Sequence, residues 1–128
     1  MDTNRRTDST PSADYLQMIL TKTRNDRKLA LKIFSQLFVE LPEQLDGIQD
    51  ALNRHQYDLA QQITHKLHGS LSLCGLENLR AQAKNLEQCL RQKNYGAISR
   101  YWFQLQQCAF HFTAQQQVLL DDLTRDEG

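Results

Sequence analysis

Thr64-His65-Lys66-Leu67-His68-Gly69-Ser70 places a glycine inside a continuous amphipathic helical pattern. A mid-helix glycine costs about 1 kcal/mol relative to alanine, so the residue needs a compensating reason to be there. Gly69 follows His65 by four residues, which puts the two one turn apart on the same helix face. The spacing predicts a histidine beside bare backbone that another molecule can reach.

Helical periodicity separates a buried face of this segment from an exposed one. At roughly 100° per residue, one apolar stripe forms the core face; it consists of Ala60, Ile63, Leu67, Leu71 and Cys74. His65 falls almost opposite the centre of this stripe and is therefore predicted to be exposed. Its neighbours on the outer face are Asp58, Gln61, Gln62, His68, Gly69 and Ser72. A histidine on a helix surface is most often only solvated, and Gly69 is what favours a functional interpretation.

Length and charge limit the classes of protein to consider. The chain has 128 residues, which suits one domain with one core. Fifteen Lys and Arg balance 15 Asp and Glu, and this zero net charge argues against nucleic-acid binding. No apolar run has the length of a membrane span, and no apolar signal-peptide core follows Met1. We therefore expect a cytoplasmic protein without membrane insertion.

The three cysteines are predicted to be structural. Cys74, Cys89 and Cys108 are odd in number and lack the spacing of metal ligands. They are interpreted as small buried hydrophobes in a reducing compartment. The sequence also contains no glycine-rich phosphate loop, no G-x-S-x-G motif and no sustained strand alternation.

The periodicity predicts an all-α fold, an antiparallel up-down four-helix bundle with a short N-terminal capping helix. Residues 1–11 are predicted to be a disordered tail, 12–123 the bundle domain and 124–128 a frayed tail. The capping helix should start with Ser12 as its N-cap. The bundle helices are expected at about 25–53, 56–73, 76–92 and 95–122.

Three residues give local information about where the helices begin, bend and end. Asn25 is the candidate N-cap of the second helix. The apolar stripe of that helix runs through Pro42, which favours one kinked helix over two separate ones. Gly75 is a plausible C-terminal stop for the third helix.

The pattern His65-x-Leu67-x-Gly69-Ser70, followed by Gly75-Leu76-x-x-Leu79 and then Leu86-Glu87, resembles the signature of histidine-containing phosphotransfer (HPt) domains. The run 65–70 with Cys74-Gly75 resembles in particular the C-terminal HPt domains of hybrid sensor histidine kinases of the BarA/GacS type. In helix layout the resemblance covers roughly residues 14–123, and its specific residues are concentrated in 63–87.

The resemblance implies a phosphoryl carrier rather than an enzyme. It implies that His65 accepts a phosphoryl group and exchanges it with aspartates of response-regulator receiver domains in two-component signalling. The expected partners are those receivers and a hybrid sensor kinase, with the chain itself a monomer. No cofactor of its own is expected, and Mg²⁺ is expected in the receiver. The residues expected to support docking or transfer are Gln61, Gln62, Lys66, His68, Gly69 and Ser72.

One position departs from the usual family pattern. Many HPt domains carry lysine three residues after the histidine, and this chain has His68 there. Histidine is only partly charged at neutral pH. Lys66 supplies a cation nearby but lies about 100° around the helix. We therefore expect the positive charge near the phosphoryl group to be weaker, or to depend more on pH, than in domains that carry the lysine.

The residues around His65 also suit functions other than phosphotransfer. The main alternative is a non-covalent helical adaptor that docks partners through the face around His65. His65 and His68 have the i, i+3 spacing of metal ligands, but no Glu-x-x-His accompanies them. No acidic orienter or oxyanion-hole motif accompanies a Ser–His or Cys–His pair. Glu87 is interpreted as more structural than chemical.

Overall fold

The computed structural model describes residues 11–125, and every regular element in that range is helical. The elements are α1 (Pro11–Lys22), α2 (Arg27–Asn53), α3 (Tyr57–Cys74), α4 (Glu77–Arg91), a 3₁₀ turn (Tyr95–Ala97), α5 (Ile98–Thr113) and α6 (Gln116–Thr124). The predicted all-α class is confirmed. Of the tails expected over 1–11 and 124–128, residues 1–10 and 126–128 lie outside the described residues, whereas Pro11 and Thr124 belong to α1 and α6.

The first two helices do not begin at their expected N-caps. Helix α1 begins at Pro11, so Ser12 lies inside the first turn and is not the N-cap. The N-cap of α2 is Asp26, whose side chain accepts a hydrogen bond from the backbone N of Leu29 at 3.0 Å. Asn25 instead adopts a left-handed conformation, and its backbone N donates to the carbonyl of Leu20 at 2.7 Å to close α1.

Helices α2 and α3 otherwise follow the sequence pattern. Helix α2 continues through Pro42, which confirms one helix rather than two. Helix α3 ends at Gly75, which has a φ of 74° and so occupies the left-handed region that favours glycine. A Cβ at Gly75 would lie 3.3 Å from the carbonyl oxygen of Met18 in α1. Glycine at this position therefore also allows α1 to pack closely on the end of α3.

The core lies between helices that are consecutive in the chain. Helix α3 packs against α2 and α4, and α5 packs against α4. The fully buried large apolar residues come from every helix and are Ile19, Phe34, Leu41, Ile48, Leu67, Leu71, Leu76, Leu86, Leu105, Phe112 and Leu119. Of the predicted α3 stripe, all members are buried except Ile63, which is half-buried. No helix between residues 11 and 125 is both long and apolar enough to cross a membrane.

The expectation of a single last helix over 95–122 is wrong. A 3₁₀ turn comes first, α5 ends at Thr113, and α6 begins at Gln116 within the polar run 115–117. Helix α6 packs against α2, where Leu119 is fully buried and Asp122 accepts from Arg27 at 2.7 Å. The free energy gained by burying Leu119 and by the Arg27–Asp122 ion pair offsets the loss of helical hydrogen bonds between α5 and α6.

Truncating Leu119 tests whether α6 belongs to the core. Leu119→Ala should lower the free energy of unfolding by about 2–5 kcal/mol, because it removes a fully buried side chain. Val118 is the matched control, since it is 53% exposed on the same turn. Val118→Ala should change stability by less than about 0.5 kcal/mol. Denaturant unfolding followed by circular dichroism measures both, and equal effects would contradict this placement of α6.

Candidate functional site

His65 lies on the solvent side of α3 with 67% of its side chain exposed, as the periodicity predicted. Its Nδ1 atom lies 2.7 Å from Oε2 of Glu87, which belongs to the neighbouring helix α4. Since Nδ1 and Nε2 are on opposite sides of an imidazole ring, this contact leaves Nε2 for another molecule. The histidine is thus both accessible and oriented.

Glu87 is a buried carboxylate with several partners. Only 6% of its side chain is exposed, which is unusual for an acidic residue. Its Oε2 also accepts from Nη2 of Arg91 at 2.7 Å, and its Oε1 lies 3.2 Å from Nδ1 of His68. Burying a carboxylate is costly unless it is hydrogen-bonded and paired, and these contacts meet that requirement.

The contact with Glu87 determines the tautomer of His65. An ionised carboxylate has only acceptor atoms, so Nδ1 of His65 must carry the hydrogen and donate it. In the neutral ring Nε2 then has a free lone pair. A histidine held in this form is a nitrogen nucleophile that points away from its own domain. The arrangement follows the general rule that a carboxylate behind an imidazole fixes its tautomer and orientation.

His68 does not lie on the open outer face where the periodicity placed it. Its side chain is 23% exposed, and its ring turns toward α4 to reach Glu87. The buried carboxylate of Glu87 offers the imidazole of His68 a hydrogen bond that solvent would otherwise provide. Its expected role in place of the family's lysine stays a prediction. The structure adds that one of its ring nitrogens is engaged inside the domain.

The other residues expected to support docking occupy different environments. Gly69 is exposed, and a Cβ built on it would meet no atom within 4 Å. Gln62 and Lys66 are exposed as well, whereas Gln61 and Ser72 are half-buried. The Ser72 hydroxyl donates to the His68 carbonyl oxygen at 3.0 Å, so it is engaged within α3. Their contributions to docking stay predictions.

Sequence reasoning missed Leu73, which is 72% exposed although it is a large apolar residue. His65, Gly69 and Leu73 follow one another at intervals of four residues and so form a single ridge along α3. Leu73 borders a groove of about 270 Å³ between α2 and α3, lined by Ile33, Gln36, Leu37, Glu40, Ser70, Leu73 and Cys74. The sequence could have indicated this exposure, because Leu73 is a large apolar residue that does not belong to the core stripe of α3.

Sequence reasoning also missed the direct contact between Glu87 and His65, and the more structural role expected for Glu87 stays a prediction. The available signal was an acidic residue on the apolar stripe of α4, between Ala83 and Leu90 at helical spacing. A carboxylate at such a position must find a polar partner on the helix that packs against it. The partner could not be identified until the pairing of α3 with α4 was known.

The alternative chemistries find little support within residues 11–125. No group of three His, Cys, Asp or Glu side chains there is arranged to hold a metal ion. The guanidinium of Arg91 already occupies the Glu87 oxygen that a cation would use. Burial, with a smaller contribution from Glu40, raises the pKa of the Cys74 thiol to about 11. This thiol stays protonated at neutral pH and is a poor nucleophile.

The described residues thus form an all-helical domain in which an exposed histidine contacts a buried carboxylate. A comparison with protein families matches residues 32–125 to the Hpt domain. This range is more than half of the chain and includes both His65 and Glu87, and the chain belongs to the Hpt domain family. Comparison with curated proteins and with solved structures gave no match.

Membership of the family implies a phosphotransfer role in two-component signalling. Hpt domains are phosphocarriers rather than kinases, and they interact with response-regulator receivers. Which side chain carries the phosphoryl group in this chain is a separate question, and the geometry around His65 bears on it.

Removing Glu87 should change the tautomer of His65. In the wild-type protein, nitrogen NMR of the imidazole should show the hydrogen on Nδ1, because the carboxylate accepts it. Glu87→Ala should shift the population toward hydrogen on Nε2. Glu77→Ala is the control, since Glu77 lies on the same helix but pairs with Arg80. An unchanged His65 tautomer in Glu87→Ala would show that Glu87 does not hold the ring.

Proposed function

We propose that His65 accepts a phosphoryl group from the aspartyl phosphate of one receiver domain and donates it to an aspartate of another. The observation that carries this proposal is the exposed imidazole whose Nδ1 is held at 2.7 Å by the buried carboxylate of Glu87. That contact leaves Nε2 as the reacting atom. No other described histidine combines such exposure with a contact to a buried carboxylate.

The transfer step conserves atoms and electrons. The lone pair of Nε2 on His65 forms a bond to phosphorus, and the bond between phosphorus and the partner's aspartate oxygen breaks. The electron pair leaves with that oxygen as a carboxylate. The ring becomes an imidazolium that keeps its hydrogen on Nδ1, and Glu87 stabilises the positive charge through its hydrogen bond. The reverse reaction passes the group to the next aspartate.

Positioning and charge dominate such a reaction, because its transition state is loose. A carboxylate near an incoming phosphoryl group would repel it. Here Glu87 lies behind the ring, and the guanidinium of Arg91 is paired to the same oxygen. Lys66 adds an exposed cation on the next residue of α3. We propose that these charges offset the repulsion.

The receiver is proposed to dock along the ridge formed by His65, Gly69 and Leu73. Gly69 presents bare backbone with open space above it, so the partner can approach closely. Leu73 and the adjoining groove offer apolar area that can be buried against a receiver. The exposed Gln62 and Lys66 flank this surface. Mg²⁺ is proposed to be held by the receiver, where it would stabilise the charge of the transferred group.

The architecture and cellular setting complete the proposal. We propose that α2 to α5 form an antiparallel up-down bundle with α1 as its cap, because short connections join helices that pack on one another. A cytoplasmic location fits partners of the receiver type. The run from His65 to Ser70 also supports a domain of the kind found at the C-terminus of BarA/GacS-type hybrid kinases.

Substituting the two histidines separately tests the acceptor. His65→Gln should abolish acid-labile, alkali-stable phosphate on the protein after incubation with a phosphorylated receiver. Its stability should change by less than about 0.5 kcal/mol, since His65 is exposed. His68→Gln is the matched control and should still be labelled. Labelling that depends on His68 alone would contradict the assignment. Receiver binding without any labelling would favour the non-covalent adaptor.

Substituting Gly69 tests the docking ridge. Gly69→Ala should raise stability by up to about 1 kcal/mol, because its Cβ would enter open space in mid-helix. Gly47→Ala should gain less, because its Cβ would meet Cδ1 of Ile63 at 3.2 Å. Gly69→Leu should fold normally yet slow transfer from a receiver sharply, by holding the reacting atoms apart.

A small phosphodonor separates docking from chemistry in the Gly69→Leu variant. Phosphoramidate needs no protein surface, so it should label His65 in Gly69→Leu at the wild-type rate. Quench-flow labelling with both donors measures the difference. Normal transfer from the receiver in Gly69→Leu would show that the partner docks elsewhere on α3.

A further inference from the structure

From residue 101 onward, α5 lacks the charged side chains that are frequent elsewhere in the protein. Charged residues make up 23% of the chain, yet residues 101–120 contain no Asp, Glu, Lys or Arg. Much of this stretch is exposed helix, in which charged side chains normally alternate with others. Depletion of charge on a solvent-facing surface is typical of the centre of a protein interface.

Two phenylalanines lie at the centre of this uncharged face. Phe103 is 58% exposed and Phe110 is 66% exposed. At seven residues apart they point in nearly the same direction, about 20° from each other around the helix. The buried side of α5 carries Leu105 and Phe112, roughly opposite to them. We call the row of exposed residues Ser99, Phe103, Gln106, Gln107, Phe110 and Ala114 the α5 outer face.

A concave surface adjoins these projecting rings. Phe110 lines a groove of about 400 Å³ between α2 and α5, whose walls include Pro42 and Trp102 and, on the α2 side, one charged residue, Asp46. One surface therefore carries both a projecting part, the ring of Phe110, and a concave part, the groove beside it. Such a surface can be complementary to itself when it is turned through a two-fold rotation.

We propose that the α5 outer face is the contact between two copies of this chain. In a two-fold dimer each patch meets the same patch, so a charged face would repel itself. None of the six residues of this face is charged. Arg100 lies at its edge, with its guanidinium over the ring of Tyr101. Glutamines at Gln106 and Gln107 suit the region around the axis, because a carboxamide both donates and accepts hydrogen bonds and can pair with its own copy. A partner of opposite charge would instead need charged side chains to pair with, and residues 101–120 provide no Asp, Glu, Lys or Arg.

The proposed dimer has a defined register. The midpoint between Phe103 and Phe110 falls at Gln106 and Gln107, so an antiparallel pair of α5 helices places Phe103 of one copy against Phe110 of the other. The two rings of one copy are about 10 Å apart along the helix, given a rise of 1.5 Å per residue. Both pairs of rings are then buried at once. This inference revises the monomer expected from the sequence.

The proposed contact leaves the phosphotransfer site accessible. His65 and its partners belong to α3 and α4, and none of them lies on the α5 outer face. Helix α5 packs against α4, while α3 packs against α2 and α4. A dimer through α5 therefore presents two separate histidines to receivers. The proposal does not depend on the acceptor being His65.

Sedimentation velocity and light scattering of the whole chain, from low to high micromolar concentration, test the proposal. The wild-type protein should shift from monomer to dimer as concentration rises. Phe103→Glu and Phe110→Glu should each raise the dimer dissociation constant by at least about tenfold, because each puts a charge into a desolvated contact. Circular dichroism should show native helix content for both, since both side chains are exposed.

Val39→Glu is the matched control. Val39 is 64% exposed on α2, close to the exposure of Phe110, and Glu40 and Glu43 lie beside it in the sequence. This variant should dimerise like the wild type. The proposal is overturned if the wild type stays monomeric throughout, if its dimer persists in both phenylalanine variants, or if Val39→Glu dissociates it equally.

Discussion

The carboxylate of Glu87, buried between α3 and α4, is the group on which the functional geometry depends. It is bound by His65 and Arg91 through one oxygen and by His68 through the other. A buried carboxylate with fewer partners would destabilise the fold. The same contacts that make its burial tolerable also fix the ring of His65. Stability of the helix pair and orientation of the candidate nucleophile therefore come from one network.

Helix α3 was predictable because its apolar and polar residues recur at regular helical spacing. The apolar stripe from Ala60 to Cys74 gave its buried side, and the position of His65 opposite that stripe gave its exposure. Gly75 gave its end, through the left-handed conformation that glycine adopts most easily. Each of these inferences uses residues within a few turns of one another. Periodicity is informative at that range.

The contact of His65 with Glu87 could not be predicted in the same way, because 22 residues separate the pair. It depends on the rotation of α4 about its axis and on its register against α3. The ring of His68 turned toward α4 for the same reason, although periodicity placed it outside. The break between α5 and α6 likewise depends on packing, since Leu119 becomes buried on the distant helix α2. Local pattern favoured one continuous helix, and tertiary contacts decided otherwise.

The two exposed features of the domain have different physical character. The ridge on α3 combines a polar, nucleophilic centre with bare backbone and a single leucine. The α5 outer face presents two exposed aromatic rings among uncharged residues, and its pairing with a second copy is our proposal. A surface for transient contact with several receivers needs accessibility and charge more than apolar area, whereas a contact between copies needs apolar area. The chain separates these requirements on different helices.

The central claim is that Glu87 holds Nδ1 of His65 and so leaves Nε2 to react. The most direct test is to phosphorylate the nitrogen-labelled protein from a receiver and to observe phosphorus–nitrogen coupling by NMR. The account predicts coupling to Nε2 of His65, with Nδ1 still carrying its hydrogen. Phosphate on Nδ1 of His65, or on either nitrogen of His68, would contradict it.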